Sequence, residues 1–362
     1  MKIKSEVLKE CLSYLSSLQT KTNVIDATKF IYISCSEGMA NFVYFDGFRE
    51  GSISAEVESK DDEVMCVDFL KLTQKVGIAP DGVTIGLALS SDKATLTIGK
   101  SRTKIAVFDH EAYPRFTVDN NGVLLQCKSS DMLNAISKVK NAIPTNDSRA
   151  MLNGVCFDVK DKKLTVVGSN GQRLNVCDVD CQYDDLANFQ SIMPVKSIAP
   201  FLSMIHSEDV SIFFTDSKIM ANSGNRVLMV PKLDSKYPNW RAIFDSCKAI
   251  HTASYSASDL KYAIRSAMIT SNHQFGGIEI EICKGSTNFM SSDESGETFE
   301  PIESDSDFEY RFAMSGNFLN QAISNIDGGV ISIGITDEDP DKLRPLKITE
   351  GSYTAIISPI RL

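Results

Sequence analysis

The stretch Arg149-Ala150-Met151-Leu152-Asn153-Gly154-Val155-Cys156-Phe157-Asp158, continued by Leu164-Thr165-Val166-Val167-Gly168-Ser169-Asn170-Gly171-Gln172-Arg173-Leu174, decides the fold. Its β-branched and aromatic residues predict two short strands, Val155–Val159 and Leu164–Gly168. Gly, Asn, Asp and Ser gather between them, as turns require. The same texture recurs at Phe30–Cys35, Val83–Leu89, Val210–Phe214, Ile278–Cys283 and Val330–Thr336.

Working outward, three amphipathic segments separate these strands. They carry Leu8, Cys11, Leu12 and Leu15, then Met132, Ala135, Ile136 and Val139, then Leu260, Ala263, Ile264 and Ala267. Each has the i, i+3, i+4, i+7 spacing of one buried helix face. Ser130-Asp131 and Ser258-Asp259 suit helix starts. The offsets are 132 − 8 = 124 and 260 − 132 = 128. A second helical set lies between, at Val67–Leu70, Val195–Leu202 and Ser315–Ile323. The segment Ala112-Tyr113-Pro114-Arg115-Phe116 is echoed by Lys236-Tyr237-Pro238-Asn239-Trp240, with 238 − 114 = 124. The chain therefore reads as three α+β domains of about 120 residues, 1–122, 123–248 and 249–362, each with two helices packed on strands. This period is far longer than that of a solenoid.

Composition bounds the function. The 362 residues hold 37 Lys plus Arg against 47 Asp plus Glu, a net charge of −10, with 43% hydrophobic and 23% charged residues. That is an ordinary globular balance, and neither a disordered nor a collagen-like chain fits it. No apolar run is long enough to span a membrane, and the first residues lack the apolar stretch of a secretory signal. Nine cysteines without C-x-x-C spacing fit reduced thiols and a cytoplasmic setting better than a disulfide framework. His110, His206, His251 and His273 have no zinc-site spacing. The acidic total argues against a simple nucleic-acid coating protein but leaves room for a basic face.

Such a face is visible on the helices. Lys71 and Lys75 share a side, Lys261 and Arg265 do the same, and Lys138 falls with Asn134 and Asn141 away from the apolar stripe. Lys9 and Lys196 are further candidates. The pattern fits either a cationic lining for a polyanion or an ordinary solvated helix surface. The last helix offers Asn317, Asn320, Gln321, Ser324 and Asn325 instead of charge.

The quoted stretch resembles the second domain of the bacterial DNA polymerase III beta subunit, the sliding-clamp family. Lys236-Tyr237-Pro238-Asn239-Trp240-Arg241 resembles the family's F-P-D-Y-R segment. Ser358-Pro359-Ile360-Arg361-Leu362 resembles its M-P-M-R-L ending. Asp259 through Gly277, with Ser271-Asn272 and Phe275-Gly276-Gly277, is similar to the opening of its third domain. The resemblance implies a DNA clamp fold: two inner helices and two outer antiparallel sheets per domain, with two chains closing head to tail into a ring. Double-stranded DNA would thread the ring without sequence preference. Lys9, Lys71, Lys75, Lys138, Arg149, Lys196, Lys261 and Arg265 would face it. DNA polymerase and clamp loader would be the partners, with no membrane, no cofactor and no metal.

The family's partner-peptide groove maps here onto Leu152, Ser169, Gly171, Gln172, Arg173, Leu174, Pro238, Ile243, Pro345, Ile356, Ser358, Pro359, Ile360, Arg361 and Leu362. Gln172 stands where many members have His, and Ser358 where many have Met. For the homodimer interface, the basic residues Lys100, Arg102 and Lys104 late in the first domain suit an acidic stretch in the third. Glu297, Glu300 and Glu303 lie there among Asp293, Glu294, Asp305, Asp307 and Glu309. An acidic solvated loop is the other reading of that stretch.

Enzyme motifs for nucleotides, serine nucleophiles or zinc are absent from the sequence. Asp178 with Asp180, or the turn Asp337-Glu338-Asp339 with Asp341, could hold Mg²⁺ in a nuclease, though acidic turns are usually solvated. Trp240 reads as a packing residue. The expectation is a non-enzymatic processivity factor. A clamp-fold decoy or inhibitor of replication is the alternative.

Overall fold

The structure is a computed structural model and describes residues 1–19, 25–59, 61–90, 92–117, 121–161, 163–183, 188–271, 276–326 and 328–361. The helices are α1 (Ser5–Ser16), α2 (Phe69–Gly77), α3 (Ser129–Val139), α4 (Ile198–Met204), α5 (Trp240–Ser246), α6 (Ala257–Ile269) and α7 (Gly316–Ile323). The apolar stripes of α1, α3 and α6 are fully buried, as their spacing requires. Each large aliphatic side chain in them contributes about 1.5–3 kcal/mol by leaving water.

Helix starts differ from expectation by one or two residues. Helix α3 begins at Ser129 and α6 at Ala257, so Ser130-Asp131 and Ser258-Asp259 lie in first turns. Val67 and Asp68 end a strand, Glu63–Asp68, and Asp68 caps α2 by accepting the Lys71 N–H at 2.9 Å. Helix α4 is entered through a 3₁₀ turn, Val195–Ser197.

The chain forms two compact units that interleave in sequence: 1–130 with 181–185 and 197–232, and 131–180 with 186–196 and 233–362. The first holds a sheet of thirteen described strands. Its order is Lys2–Lys4, Thr84–Ser90, Lys93–Ile98, Ser101–Phe108, Glu63–Asp68, Phe30–Ser36, Met39–Phe45, Glu50–Glu56, Arg226–Pro231, Lys218–Ser223, Asp209–Phe214, Val123–Lys128 and Cys181–Tyr183. Glu50–Glu56 pairs antiparallel with Arg226–Pro231, which joins segments from either side of position 122 in one ladder.

The second unit holds two sheets. The larger runs Phe189–Pro194, Gly154–Lys160, Lys163–Ser169, Arg173–Val179, Tyr353–Ile357, Leu346–Glu350, Val330–Ile335 and His251–Ser256. The smaller runs Gly296–Glu303, Ser286–Asp293, Gly277–Cys283 and Tyr310–Ser315. Arg173–Val179 pairs with Tyr353–Ile357, so a ladder again crosses an expected limit, here 248. Gly168 lets α3 end against its own sheet: a Cβ there would lie 2.7 Å from the Val139 carbonyl oxygen.

Candidate partner groove and assembly edges

Within the second unit, the expected groove residues described in the structure gather around one loop and one floor. The Asn170 side chain folds the loop, its Oδ1 accepting the N–H groups of Gln172 and Arg173 at 3.0 Å each. Ser169 Oγ donates to the Arg173 carbonyl at 2.8 Å. Gly171 has φ +87°, and a Cβ there would strike the Arg149 guanidinium at 2.6 Å. Arg149, expected among the DNA-facing residues, is thus packed beside the groove loop. Its Nε and Nη2 donate to both Asp147 oxygens at 2.9 Å, and Nη2 donates to the Asn170 carbonyl at 2.8 Å. This bidentate contact pulls the Asp147 carboxyl down to about 2.

Leu152, Leu174 and Ile356, the expected floor, are buried in one cluster with Tyr237 and Trp240. Met151, Leu233 and Phe244 pack on it half-buried, while Pro238 and Ile243 are exposed. Trp240 begins α5, a helix absent from the sequence expectation. Asn239, accepting the Ala242 N–H, is the cap that marks it. The indole Nε1 donates to Asp158 Oδ2 at 2.6 Å, and the Arg241 guanidinium lies 4.4 Å above the same ring. Trp240 is therefore a packing residue, with its polar edge satisfied by a buried carboxylate.

The C-terminal segment closes the floor. Ser358 N–H donates to the Gln172 carbonyl at 3.0 Å, and Ile360 N–H to Ala313 at 2.9 Å. Pro359 and Ile360 are half-buried and Arg361 is exposed; Leu362 lies outside the described residues. Pro345 is half-buried, and its carbonyl accepts the Thr336 hydroxyl. Arg173, expected to reach a peptide, is instead anchored inside. It is buried over the Phe318 ring at 4.4 Å and donates to the Asn141 carbonyl. Burial pushes its pKa below the usual arginine value.

The helix cations divide. Lys71, Lys196 and Arg265 are exposed, Lys75 and Lys261 half-buried. Lys9 pairs with Asp81 at 2.7 Å and Lys261 donates to the Ile326 carbonyl. Lys138 does not lie on an open face: it is 7% exposed and pairs with Glu350 at 2.6 Å. The helical wheel of α3 carries no information about the Leu346–Glu350 strand, which supplies that carboxylate.

Each unit also presents an open sheet edge. In the first, Ser101–Phe108 pairs along its length with Lys93–Ile98, but with Glu63–Asp68 only at Val107 and Phe108. Residues 101–106 therefore have no strand on their second side among the described residues. Arg102 and Lys104 lie there, with Lys100 in the preceding turn, and all three are exposed. In the second unit, Gly296–Glu303 pairs only with Ser286–Asp293 among the described residues. Asp293 to Glu303 thus lie on a hairpin, while Asp305, Asp307 and Glu309 follow it outside the described strands. Glu297 and Glu303 are exposed, and Glu300 accepts the Ser266 hydroxyl at 3.0 Å. Charge pattern alone missed three exposed apolar residues. Ile78, just after α2, and Ile269, at the end of α6, are each 75% exposed, and Phe299 is 62% exposed.

Among the described residues, no group of three His, Cys, Asp or Glu side chains is placed to hold a metal. Asp178 pairs with Lys163 at 2.6 Å and accepts the Thr165 hydroxyl; Asp337 pairs with Lys342 at 3.1 Å. These contacts account for both acidic candidates. No helix among the described residues is long and apolar enough to cross a membrane.

Residues 126–239 match the family described as DNA polymerase III beta subunit, central domain. The beta sliding clamp of Proteus mirabilis is 20% identical over 291 residues, 78% of each chain. That of Chlamydia muridarum is 26% identical over 165 residues, 45% of each. A crystal structure of the DNA polymerase III subunit beta from Pseudomonas aeruginosa has a TM-score of 0.93 at 18% identity, covering 100% of both chains. The fold is that of the sliding clamps. The family match itself covers the central part of the chain, and the structural likeness extends that fold to its full length.

Proposed function

We propose that this chain is a DNA sliding clamp. Two copies close head to tail into a ring of six similar domains, three per chain, divided at 1–122, 123–248 and 249–362. The ring encircles duplex DNA and tethers a replicative polymerase and the clamp loader through the groove of the second unit. It acts without catalysis, in the cytoplasm with the replication machinery.

The observation that carries this reading is the pair of open sheet edges of opposite charge. An unpaired edge invites a further strand, and a basic edge selects an acidic one. Arg102 and Lys104 on one copy meet Glu297, Glu300 and Glu303 on the other. Ile78, Ile269 and Phe299 supply the apolar core that a stable contact needs. Two complementary ends per chain give a heterologous contact, which closes when the rotation permits. The exposed Lys71, Lys196 and Arg265, with the half-buried Lys75, then offer point charges to phosphates and none to base edges. Topology retains the DNA while the weak contacts let it slide.

The test is retention on DNA. The ring, once loaded, stays on nicked circular DNA and is lost when the circle is cut. Equal loss from both substrates rejects the reading.

A further inference from the structure

The loop over the partner groove has a twin in the first unit. Asp46-Gly47-Phe48-Arg49-Glu50 precedes Asn170-Gly171-Gln172-Arg173-Leu174 by 170 − 46 = 124 positions. The two fold alike. Asp46 Oδ1 accepts the N–H groups of Phe48 and Arg49 at 2.8 and 2.6 Å, as Asn170 does for its followers. Gly47 has φ +95°, beside +87° at Gly171. A 3₁₀ turn precedes each loop at the same spacing, Asp26–Lys29 and Ala150–Leu152. Tyr113-Pro114-Arg115-Phe116 stands 124 positions before the Tyr237 segment that borders the groove.

The chemistry of the twin is different. Where the groove has Leu174, the twin has Glu50, only 1% exposed. Its Oε2 accepts the Phe116 N–H at 2.8 Å and lies 3.5 Å from Arg115 Nε, while Oε1 is buried without a hydrogen-bond partner among the described residues. Two aromatic residues adjoin it, Phe45 as its cross-strand partner and Phe116 as its N–H donor. Phe45 meets Phe116 edge-on at 5.6 Å, and Tyr32 lies 5.8 Å from Tyr113. Phe30, Tyr32, Phe108 and Phe116 are only partly buried, and Phe48 at the loop tip is 43% exposed. Cations already use these rings: Arg115 sits 4.9 Å over Tyr32, and Lys218 5.6 Å over Phe116.

A carboxylate oxygen without a partner costs free energy when buried. Set among aromatic faces, it suits an ammonium or guanidinium and not an apolar anchor. Arg115 is the internal group in the way. It is exposed, and its 3.5 Å contact with Glu50 is long for a charge-assisted hydrogen bond.

We propose that this twin is a second docking site, which takes a lysine or arginine side chain of a partner segment. The incoming cation displaces Arg115 and bonds Glu50 Oε1 between the rings of Phe45, Phe116 and Tyr32. The site lies wholly within the first unit, so it does not depend on ring closure or on the groove of the second unit.

Fluorescence anisotropy with the labelled peptide Gly-Ser-Arg-Phe-Ser-Gly tests it on the full chain, beside the same peptide with neutral citrulline replacing arginine. Citrulline and Glu50→Gln each weaken binding about tenfold, the size of a lost charged hydrogen bond. Arg115→Ala tightens binding several-fold, while the exposed Glu58→Gln changes nothing. Equal affinity for the two peptides overturns the site, as does an unaltered affinity in Glu50→Gln. Loss of binding with Glu58→Gln reduces the attraction to general acidity and overturns it too. Should Glu50→Gln not fold, the citrulline comparison and Arg115→Ala decide.

Discussion

Lys138 and Glu350 form a partly buried ion pair, Nζ to Oε2 at 2.6 Å, with the ammonium 5.6 Å from the Tyr353 ring. The pair pins α3 to the Leu346–Ile357 hairpin; the Lys138 carbonyl also accepts from Asn175 at 2.9 Å. Removing one partner strands the other charge. Lys138→Ala is expected to lower unfolding stability by about 3 kcal/mol, read from urea denaturation. Lys138→Met keeps the packing stem and loses less. Neither variant alters DNA retention once folded. Replacing Lys71 and Lys75 with Ala weakens retention with little loss of stability, because both lie on the outward side of α2.

Assembly should respond to charge reversal at the two edges. Arg102→Glu with Lys104→Glu is expected to shift sedimentation from dimer toward monomer, most at low salt, where repulsion is least screened. Adding Glu297→Lys and Glu303→Lys restores the dimer. An unchanged mass for the first double variant would place the interface elsewhere. Ile269→Ser weakens the dimer at every salt concentration, since its contribution is apolar burial.

The groove should be separable from assembly. Deleting Ile360-Arg361-Leu362 removes the Ile360 contact with Ala313 and three of the residues proposed to line the groove. Polymerase stimulation is expected to vanish while the dimer mass persists. Monomers in that variant would mean that the segment serves assembly and not partner binding.

Much of this was legible in sequence, for a specific reason. The apolar faces of α1, α3 and α6 report their own burial, because helix periodicity and core contact are the same constraint. The 124-residue echo likewise survives in the paired loops at Asp46 and Asn170. Long-range polar contacts were hidden. Nothing near Lys138 announces Glu350, and nothing near Trp240 announces Asp158. Nothing near Arg149 announces the Asn170 carbonyl that holds it beside the loop. Exposure of Ile78, Ile269 and Phe299 was hidden too, since an apolar residue looks alike in a core and at an interface.

Glu50 makes a pH prediction with a definite sign. Burial raises its pKa, more strongly than the Phe116 N–H and the cations Arg115 and Lys218 lower it. A carboxyl with a raised folded pKa lowers stability when ionised. That penalty is fully present above the folded pKa and disappears as pH falls below the unfolded value. Glu50→Gln is therefore expected to raise the melting temperature near pH 7.5 relative to the parent chain, with the gap closing toward pH 4. A gap that widens on acidification would show that the ionised form is the stabilised one.

The ladders that cross positions 122 and 248 bear on how the molecule is made. Strand Glu50–Glu56 must wait for Arg226–Pro231, whose synthesis begins 226 − 56 = 170 residues later. Arg173–Val179 must wait for Tyr353–Ile357, 353 − 179 = 174 residues on. During translation, each half-built sheet emerges from the ribosome with a bare, sticky border. Such distant pairings are slow to form, so chaperone shielding of nascent chains, more than thermal robustness of the finished protein, is expected to set the yield of native molecules in the cell.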